Sequence, residues 1–366
     1  MKTAGRLGHL PLLLLALLAL LAGLWAGLIR LGWNLPPLQP AWVADHGPLM
    51  ISGFLGTLIS LERALALSAV IRSRLPYAAP ALTALGAGVL LLGLPQVFGR
   101  GLMALGSLAL LDIFIVIIRR QPNWPHAVMG LGALLWFVGN ALWLIGQPIF
   151  RAVPWWVAFL VLTVAGERLE LARVLLLRRA AWLSFLACGA LVVAGLALSL
   201  AAPTAGIQLA GLGLLALGAW LLRFDLARRT VRQTGLTRYI ALCLLPGYVW
   251  LTLAGVSWIL WADRFSAGPW YDAMLHAITL GFIFSMIFGH APLILPAVTG
   301  RALPYHTYFY SHVILLHAAL VLRVFGDLAN QPTLRQWGGL LTALAILLFL
   351  GNTVWAVWRG PTPAPG

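Results

Sequence analysis

The sequence is poor in cysteine and in charge. Only 9% of its 366 residues are charged, and its two cysteines, Cys188 and Cys243, both lie inside apolar runs. With no CxxC pair, the cysteines suggest neither a disulfide framework nor a zinc site, and we interpret them as buried small apolar residues. Motifs for phosphate binding, for Ser or Cys nucleophiles and for HExxH zinc proteolysis are also absent.

What the sequence has in abundance is apolar surface. Hydrophobic residues make up 61% of the chain and the mean hydropathy is +0.95, too apolar for a soluble domain of this length. The formal charge of +15 comes from arginines in short clusters between apolar runs, a pattern typical of membrane topology signals and not of a nucleic-acid surface. The composition predicts an all-α integral membrane protein whose surrounding partner is the lipid bilayer.

Runs of mostly apolar residues predict twelve transmembrane helices in a single membrane domain over residues 1–357, followed by a disordered Pro/Gly-rich tail at 358–366. The predicted spans are 10–31, 48–70, 77–95, 101–118, 125–146, 153–176, 181–201, 206–222, 239–261, 269–290, 305–324 and 337–357.

The basic residues predict the orientation of these spans. If the N-terminus is cytoplasmic, sixteen Lys and Arg residues fall on the inner side and six on the outer side. This asymmetry follows the positive-inside rule and requires an even number of spans. It predicts a multi-pass protein of the cell inner membrane with both termini in the cytoplasm.

Spans two, six and ten align without gaps, sharing a phenylalanine near the start and a polar residue near the end. The three segments are Gly53–Arg63, Ala158–Arg168 and Gly281–Ala291. Because the segments are separated by four spans each, the alignment predicts three pseudo-symmetric four-helix units.

Several ionisable residues lie inside predicted spans, where an unpaired charge is costly. Glu62 could pair with Arg168, and Arg63 with Glu167, if spans two and six face each other. Alternatively, one of the two glutamates takes up protons from the cytoplasm. Asp112 in span four fits either a helix–helix hydrogen bond or a proton relay.

Three histidines are predicted at similar depth near the outer face. His276 and His317 each lie about 12 Å from the outer ends of their spans at 1.5 Å per residue, and His46 stands just ahead of span two. Imidazoles are ligands of haem iron and copper. Asp272, one turn before His276, could accept the second imidazole N–H and strengthen the nitrogen that faces the metal.

The remaining span histidines lie toward the inner face. His290 is roughly 21 Å along the helix axis from His276, so one metal ion cannot bind both. His290, His306 and His312 either form a separate metal cluster or cap and hydrogen-bond the Pro-rich loop between spans ten and eleven.

Two stretches resemble the NnrS-type membrane haem-copper proteins. These are "HGPLMISGF", His46–Phe54, and "LHAITLGFIFSMIFGH" followed by "TGRALP", Leu275–Pro304. The resemblance implies a twelve-span fold of three four-helix arcs, and family histidines at His46, His276 and His290. Pro48 stands where the family has the second histidine of an HxHxM stretch.

The resemblance implies a b-type haem, with copper as a second cofactor to consider, and a role in nitric oxide or respiratory metabolism with respiratory-chain partners. We therefore expect binding of a diatomic gas such as nitric oxide, or electron transfer, at a haem near the outer face. Two alternatives stay open. One is a secondary transporter that couples through Glu62, Arg63, Glu167 and Arg168, and the other is a cofactor-free structural subunit of a respiratory assembly.

Overall fold

The computed structural model describes residues 9–175 and 177–360, without the side chains of residues 173, 174, 297 and 298. These described residues form helices and connecting turns with no strand, and eleven of their helical segments are long and apolar enough to cross a membrane. The protein is therefore a helical multi-pass membrane protein. Of the predicted tail, residues 361–366 lie outside the described part, and the last helix continues to Arg359.

Within the predicted membrane domain the helices form two compact units, one up to Gly166 and one from Glu167 onward. The helices that begin in the first unit are α1 (Leu10–Arg30), α2 (Ala41–Pro48), π1 (Leu49–Gly56), α3 (Thr57–Ile71), α4 (Ala78–Leu91), α5 (Gln96–Arg120), α6 (Trp124–Leu144) and α7 (Ile149–Leu171). The segments π1 and, later, π2 are π-helices, in which each turn holds more residues than in an α-helix. Helix α4 packs on α5 and α5 on α6, while α1 contacts α2, π1 and α4.

The second unit begins in α7. Its further helices are α8 (Arg179–Ser199), α9 (Pro203–Phe224), α10 (Ala227–Thr230), α11 (Gly235–Leu260), α12 (Gly268–His276), π2 (Ala277–Phe284), α13 (Ser285–Thr299), α14 (Phe309–Leu328) and α15 (Pro332–Arg359). Helix α9 packs between α8 and α11, and α14 packs on α15, α12 and π2.

Small and turn-forming residues explain where several helices begin, end and touch. Asn123 caps α6, accepting a bond from the amide of His126 at 2.8 Å. Gly300, with φ of 69°, ends α13 in the left-handed conformation that favours glycine. Gly195 lets α8 approach α9 so closely that a Cβ there would lie 2.2 Å from the main chain of Ala210.

Eleven of the twelve predicted spans correspond to helices that are long enough to cross a membrane. The exception is the predicted span 77–95, which forms the shorter apolar helix Leu75–Leu91. Elsewhere the helices extend a few residues beyond the predicted limits; α14, for example, ends at Leu328 and not at 324. The later end of α14 changes which of its residues lies beside His276.

Candidate functional site

In the first unit, His46 is held against a stripe of small residues on α1. Its Nδ1 lies 2.7 Å from the main-chain oxygen of Gly23, and its ring packs on Gly27. Since a carbonyl can only accept, Nδ1 carries the proton and Nε2 carries the lone pair. Met50, one turn later, packs on Gly23 as well. The glycines therefore fix both the position and the tautomer of His46.

Next to His46 lies a carboxylate that the sequence did not single out. Asp45 is 3% exposed and accepts bonds from Nε2 of Gln96 at 2.9 and 3.2 Å. The other end of the Gln96 amide accepts a bond from Arg100. The neutral amide of Gln96 thus lies between the carboxylate of Asp45 and the guanidinium of Arg100. A carboxylate directly before His46 was the available signal.

The wide helix π1 carries a buried hydrogen-bond network. The indole N–H of Trp136 donates to Oγ of Ser52 at 3.1 Å, and Ser52 donates to Oδ1 of Asn140 at 3.2 Å. The amide of Asn140 then donates to the main-chain oxygen of Met103 at 3.3 Å. The indole ring covers Gly56 so closely that a Cβ there would lie 2.2 Å from it.

In the second unit, His276 belongs to an ion-pair cluster. Arg323 binds Asp272 through two bonds, Nε to Oδ2 at 2.8 Å and Nη2 to Oδ1 at 2.9 Å. Nδ1 of His276 lies 2.9 Å from the main-chain oxygen of Asp272 and 3.3 Å from its carboxylate. Nη2 of Arg323 lies 3.4 Å from Nε2 of His276. Asp272 therefore orients His276, while Arg323 occupies the space before its other nitrogen.

The cluster continues along α14 into α15. The side chain of Asp327 is fully buried, with Oδ1 3.0 Å from Nε of Arg335, and it lies near enough to Asp272 to interact electrostatically. Gly326 allows this approach, since a Cβ there would lie 2.4 Å from the main-chain nitrogen of Arg335, and Gly338 does the same for Arg323. Arg323 and Arg335 are two of the six basic residues predicted on the outer side; the spacing of Arg323 and Asp327, four residues apart on one helix, was the signal for this cluster.

His317 has a different environment. The indole N–H of Trp250 donates to its Nδ1 at 3.1 Å, and its Nε2 lies 3.3 Å from Oγ of Ser285. Ser285 donates in turn to the main-chain oxygen of Gly281 in π2 at 2.7 Å, and Trp250 covers Gly281. Both nitrogens of His317 are thus engaged in hydrogen bonds, so this imidazole has no lone pair ready for a metal.

The prediction that His276 and His317 lie at the same depth is wrong. The residue of α14 beside His276 is Arg323, six positions after His317 and about 9 Å further along the helix axis. The prediction failed because α14 ends at Leu328 and because π2, inserted after His276, changes the advance per residue.

The three histidines predicted toward the inner face, His290, His306 and His312, do not form one cluster with a metal-ligand arrangement in the described part of the chain. His290 donates through Nδ1 to a main-chain carbonyl one turn earlier. His312 lies between the hydroxyl of Tyr239 at 3.0 Å and the amide of Asn352 at 3.1 Å, and His306 stacks on a neighbouring tyrosine. Within residues 9–175 and 177–360, no group of three or more His, Cys, Asp or Glu side chains could hold a metal ion.

Arg168, which the sequence offers as a partner for Glu62, has a buried carboxylate partner within the second unit. Arg168 binds Asp225 through two bonds of 2.8 Å, and both residues are buried. Asp225 is the residue that ends α9, just beyond the predicted span 206–222, so the apolar runs did not point to it. Arg63 lies 3.5 Å from Glu62 of its own helix, and its pairing with Glu167 stays a prediction.

One family model matches this chain, and it covers residues 9–358. Its description is "Domain of unknown function (DUF8744)", and because the match extends over nearly the whole chain, the protein belongs to that family. No curated protein matches the chain. The family name assigns no activity, so the function has to be argued from the residues.

Proposed function

We propose that this member of the DUF8744 family is a membrane haem protein that uses a b-type haem in nitric oxide or respiratory metabolism. The observation that carries the proposal is the hydrogen bonding of His46 and His276, which His290 shares. In each, Nδ1 donates to a main-chain carbonyl, which leaves the lone pair on Nε2. Histidines that bind metals almost always donate their other ring N–H in this way.

The three predicted ligands fit a haem iron to different degrees. His46 fits best, since its tautomer is fixed and its ring is held on glycines. His276 fits once the guanidinium of Arg323 moves away from Nε2, and Asp272 would keep its ring oriented. His317 does not fit, because both its nitrogens are engaged.

When bound, a b-type haem would supply an iron that holds a diatomic gas such as nitric oxide or passes electrons to a respiratory-chain partner. This chain's residues would orient the imidazoles and hold their tautomers. Copper is a second cofactor to test at His46, because the thioether of Met50 follows one turn later on the same helix and is a soft ligand.

The same proposal includes a topology of twelve crossings in the inner membrane, with α4 as the short crossing and both termini in the cytoplasm. The excess of basic residues on one side supports it. The predicted repeat is supported by the two π-helices, which coincide when Gly53 is laid over Gly281. Helix α7, the third member of the predicted repeat, is α-helical throughout.

Optical spectroscopy tests the haem proposal. The detergent-purified protein would be examined oxidised and dithionite-reduced, with a pyridine haemochrome assay and copper analysis. His46→Ala and His276→Ala are each expected to weaken or abolish the Soret band, because each removes a lone pair fixed on Nε2. His317→Ala is the matched control, an intramembrane histidine that should leave the band intact.

Two results would contradict this proposal. One is well-folded wild-type protein without haem after expression with ample haem. The other is a Soret band that survives in both His46→Ala and His276→Ala but disappears in His317→Ala.

A second candidate function is secondary transport coupled to an ion or proton. It is favoured by one observation, the cluster of two carboxylates and two guanidinium groups in membrane-spanning helices around His276. The charged members are Asp272, Arg323, Asp327 and Arg335. Such intramembrane groups commonly mark ion pathways. This cluster would be a coupling site beside the one predicted at Glu62, Arg63, Glu167 and Arg168.

Proteoliposomes with an internal pH dye test the transport function. Asp327→Asn is expected to abolish proton movement, because it removes the buried charge while keeping the side-chain size. Asp263→Asn, which changes an exposed carboxylate in the turn before α12, is the control and should leave movement unchanged. Equal rates in wild type, Asp327→Asn and empty liposomes would eliminate this candidate.

A further inference from the structure

Helix α5 exposes one stripe of side chains along most of its length. The exposed residues are Phe98, Leu105, Leu108, Asp112, Ile115 and Arg119, of which Phe98 is 63% and Leu105 54% exposed. Their spacing alternates between three, four and seven residues, which is the heptad pattern of a helix that packs against another helix along a seam. We call this stripe the seam. Between Phe98 and Ile115, its only polar residue is Asp112.

That member, Asp112, has no partner in the part of the chain that the structure describes. No hydrogen bond or ion pair involves its carboxylate, although it is exposed on the helix surface. It lies about 10 Å along the axis from Arg119, too far for a short side chain to reach the helix end. A carboxylate at this depth needs a hydrogen-bonding partner from outside this molecule, because lipid offers none.

We propose that α5 pairs with α5 of a second copy of this chain, and that the two Asp112 carboxyl groups meet in the seam. Two copies in one membrane share their orientation, so their α5 helices run parallel and equal heptad positions face each other. One shared proton makes the two carboxyl groups complementary, since one group donates and the other accepts. A single polar residue in an apolar seam is also the usual device that fixes register and oligomeric state.

The positions of the charged residues favour a contact between the two Asp112 side chains over a contact between Asp112 and a different residue of the second copy. The exposed arginines of the spanning helices lie at helix ends, for example Arg30, Arg223 and Arg359. None of these could reach the depth of Asp112 in a second copy. Among the exposed ionisable side chains of the described helices, Asp112 of the second copy is therefore the one at this depth that can bond to Asp112.

Energy transfer between fluorescent copies in lipid bilayers tests the proposal. Wild-type protein is expected to dimerise at high lipid dilution, and Asp112→Leu to weaken the dimer roughly tenfold, a typical effect for one interhelical polar contact. Asp112→Asn should retain the dimer, because an amide both donates and accepts. Size-exclusion chromatography and helicity would show that both variants fold.

Cysteine cross-linking locates the contact. Leu108→Cys, in the seam, should cross-link between copies, and Leu85→Cys, exposed on α4 outside the seam, should not. The native Cys188 and Cys243 are buried and serve as the internal background. Equal cross-linking at both positions would overturn the assignment of the seam.

Three further outcomes would overturn the proposal: monomeric wild-type protein, a dimer unaffected by Asp112→Leu, or association with a foreign helix instead. For the last, the probe is a synthetic Leu/Ala membrane-spanning peptide with one lysine at the depth of Asp112, compared with its all-apolar version. Binding of the lysine peptide to monomeric wild type, but not to Asp112→Leu, would assign the seam to a cationic partner.

Discussion

Two membrane-crossing segments, Ala41–Ile71 and Gly268–Pro296, are built alike from their N-terminal ends onward. Each begins with an aspartate and a histidine, continues into a π-helix, and has a glycine of that π-helix covered by a tryptophan from another helix. Each tryptophan starts a hydrogen-bond network that ends on a main-chain carbonyl. The two segments differ in what holds their polar groups.

The first segment is held by neutral groups and the second by ionisable ones. Asp45 accepts from Gln96, whereas Asp272 is bound directly by Arg323. The network at π1 includes an amide, that of Asn140, which cannot take up a proton. The network at π2 includes an imidazole, that of His317. The same backbone arrangement thus supports one segment whose aspartate is bound by a neutral amide and another whose aspartate is bound by a guanidinium.

The largest difference between the two segments is expected from removing the groups that bind the aspartates. Arg323→Met should lower the free energy of unfolding by about 3–5 kcal/mol, because Asp272 is left as an unpaired buried charge. Gln96→Leu should cost about 1–3 kcal/mol, because Asp45 loses neutral bonds only. Denaturant unfolding in mixed micelles would measure both, with the exposed Arg151→Met as a near-neutral control. Equal losses would remove the distinction between the segments.

An intermediate and similar effect is expected at the covered glycines. Gly56→Ala and Gly281→Ala place a Cβ 2.2 and 2.4 Å from the rings of Trp136 and Trp250. Because a rigid indole cannot bend away, each should cost about 1–3 kcal/mol of unfolding free energy. Gly351→Ala in α15, where a Cβ meets nothing within 4 Å, should be neutral or stabilising. Thermal unfolding of the three variants would show whether the two segments share this feature.

The smallest effect is expected from removing one N–H in each network. Trp136→Phe takes the donor from Ser52, and Trp250→Phe takes it from His317. Each should cost about 1 kcal/mol, the usual net value of one hydrogen bond. NMR titration of His317 sharpens the comparison, since only Trp250→Phe should shift its resonances. Trp124→Phe, at an exposed site, is the control for both.

The sequence predicted well whatever depends on neighbours along the chain. Continuous apolar runs located α1 and α15 within a few residues. The spacing of Asp272 and His276 placed both on one helix face, as the structure has them. Helix existence and one-turn contacts follow from local periodicity, which a single sequence contains.

Contacts between distant helices could not be predicted in the same way. The partner of Asp272 is 51 residues away, and its identity depends on where α14 ends and how π2 shifts the helix face. If the predicted end of α14 is wrong by four residues, the residue expected beside Asp272 is no longer Arg323. Asp225 could not be predicted for a related reason, since it lies just beyond the apolar run of α9 and its partner is 57 residues away.

The pair of Arg168 and Asp225 also constrains how the protein is made. Asp225 follows Arg168 by 57 residues, so Arg168 is synthesised well before its counter-ion. Helices α8 and α9 are synthesised between the two. A buried arginine without a carboxylate would be unfavourable in lipid throughout that interval. We therefore expect α7 to wait at the translocon or the membrane surface and to enter the bilayer together with α8 and α9, as one cooperative insertion step.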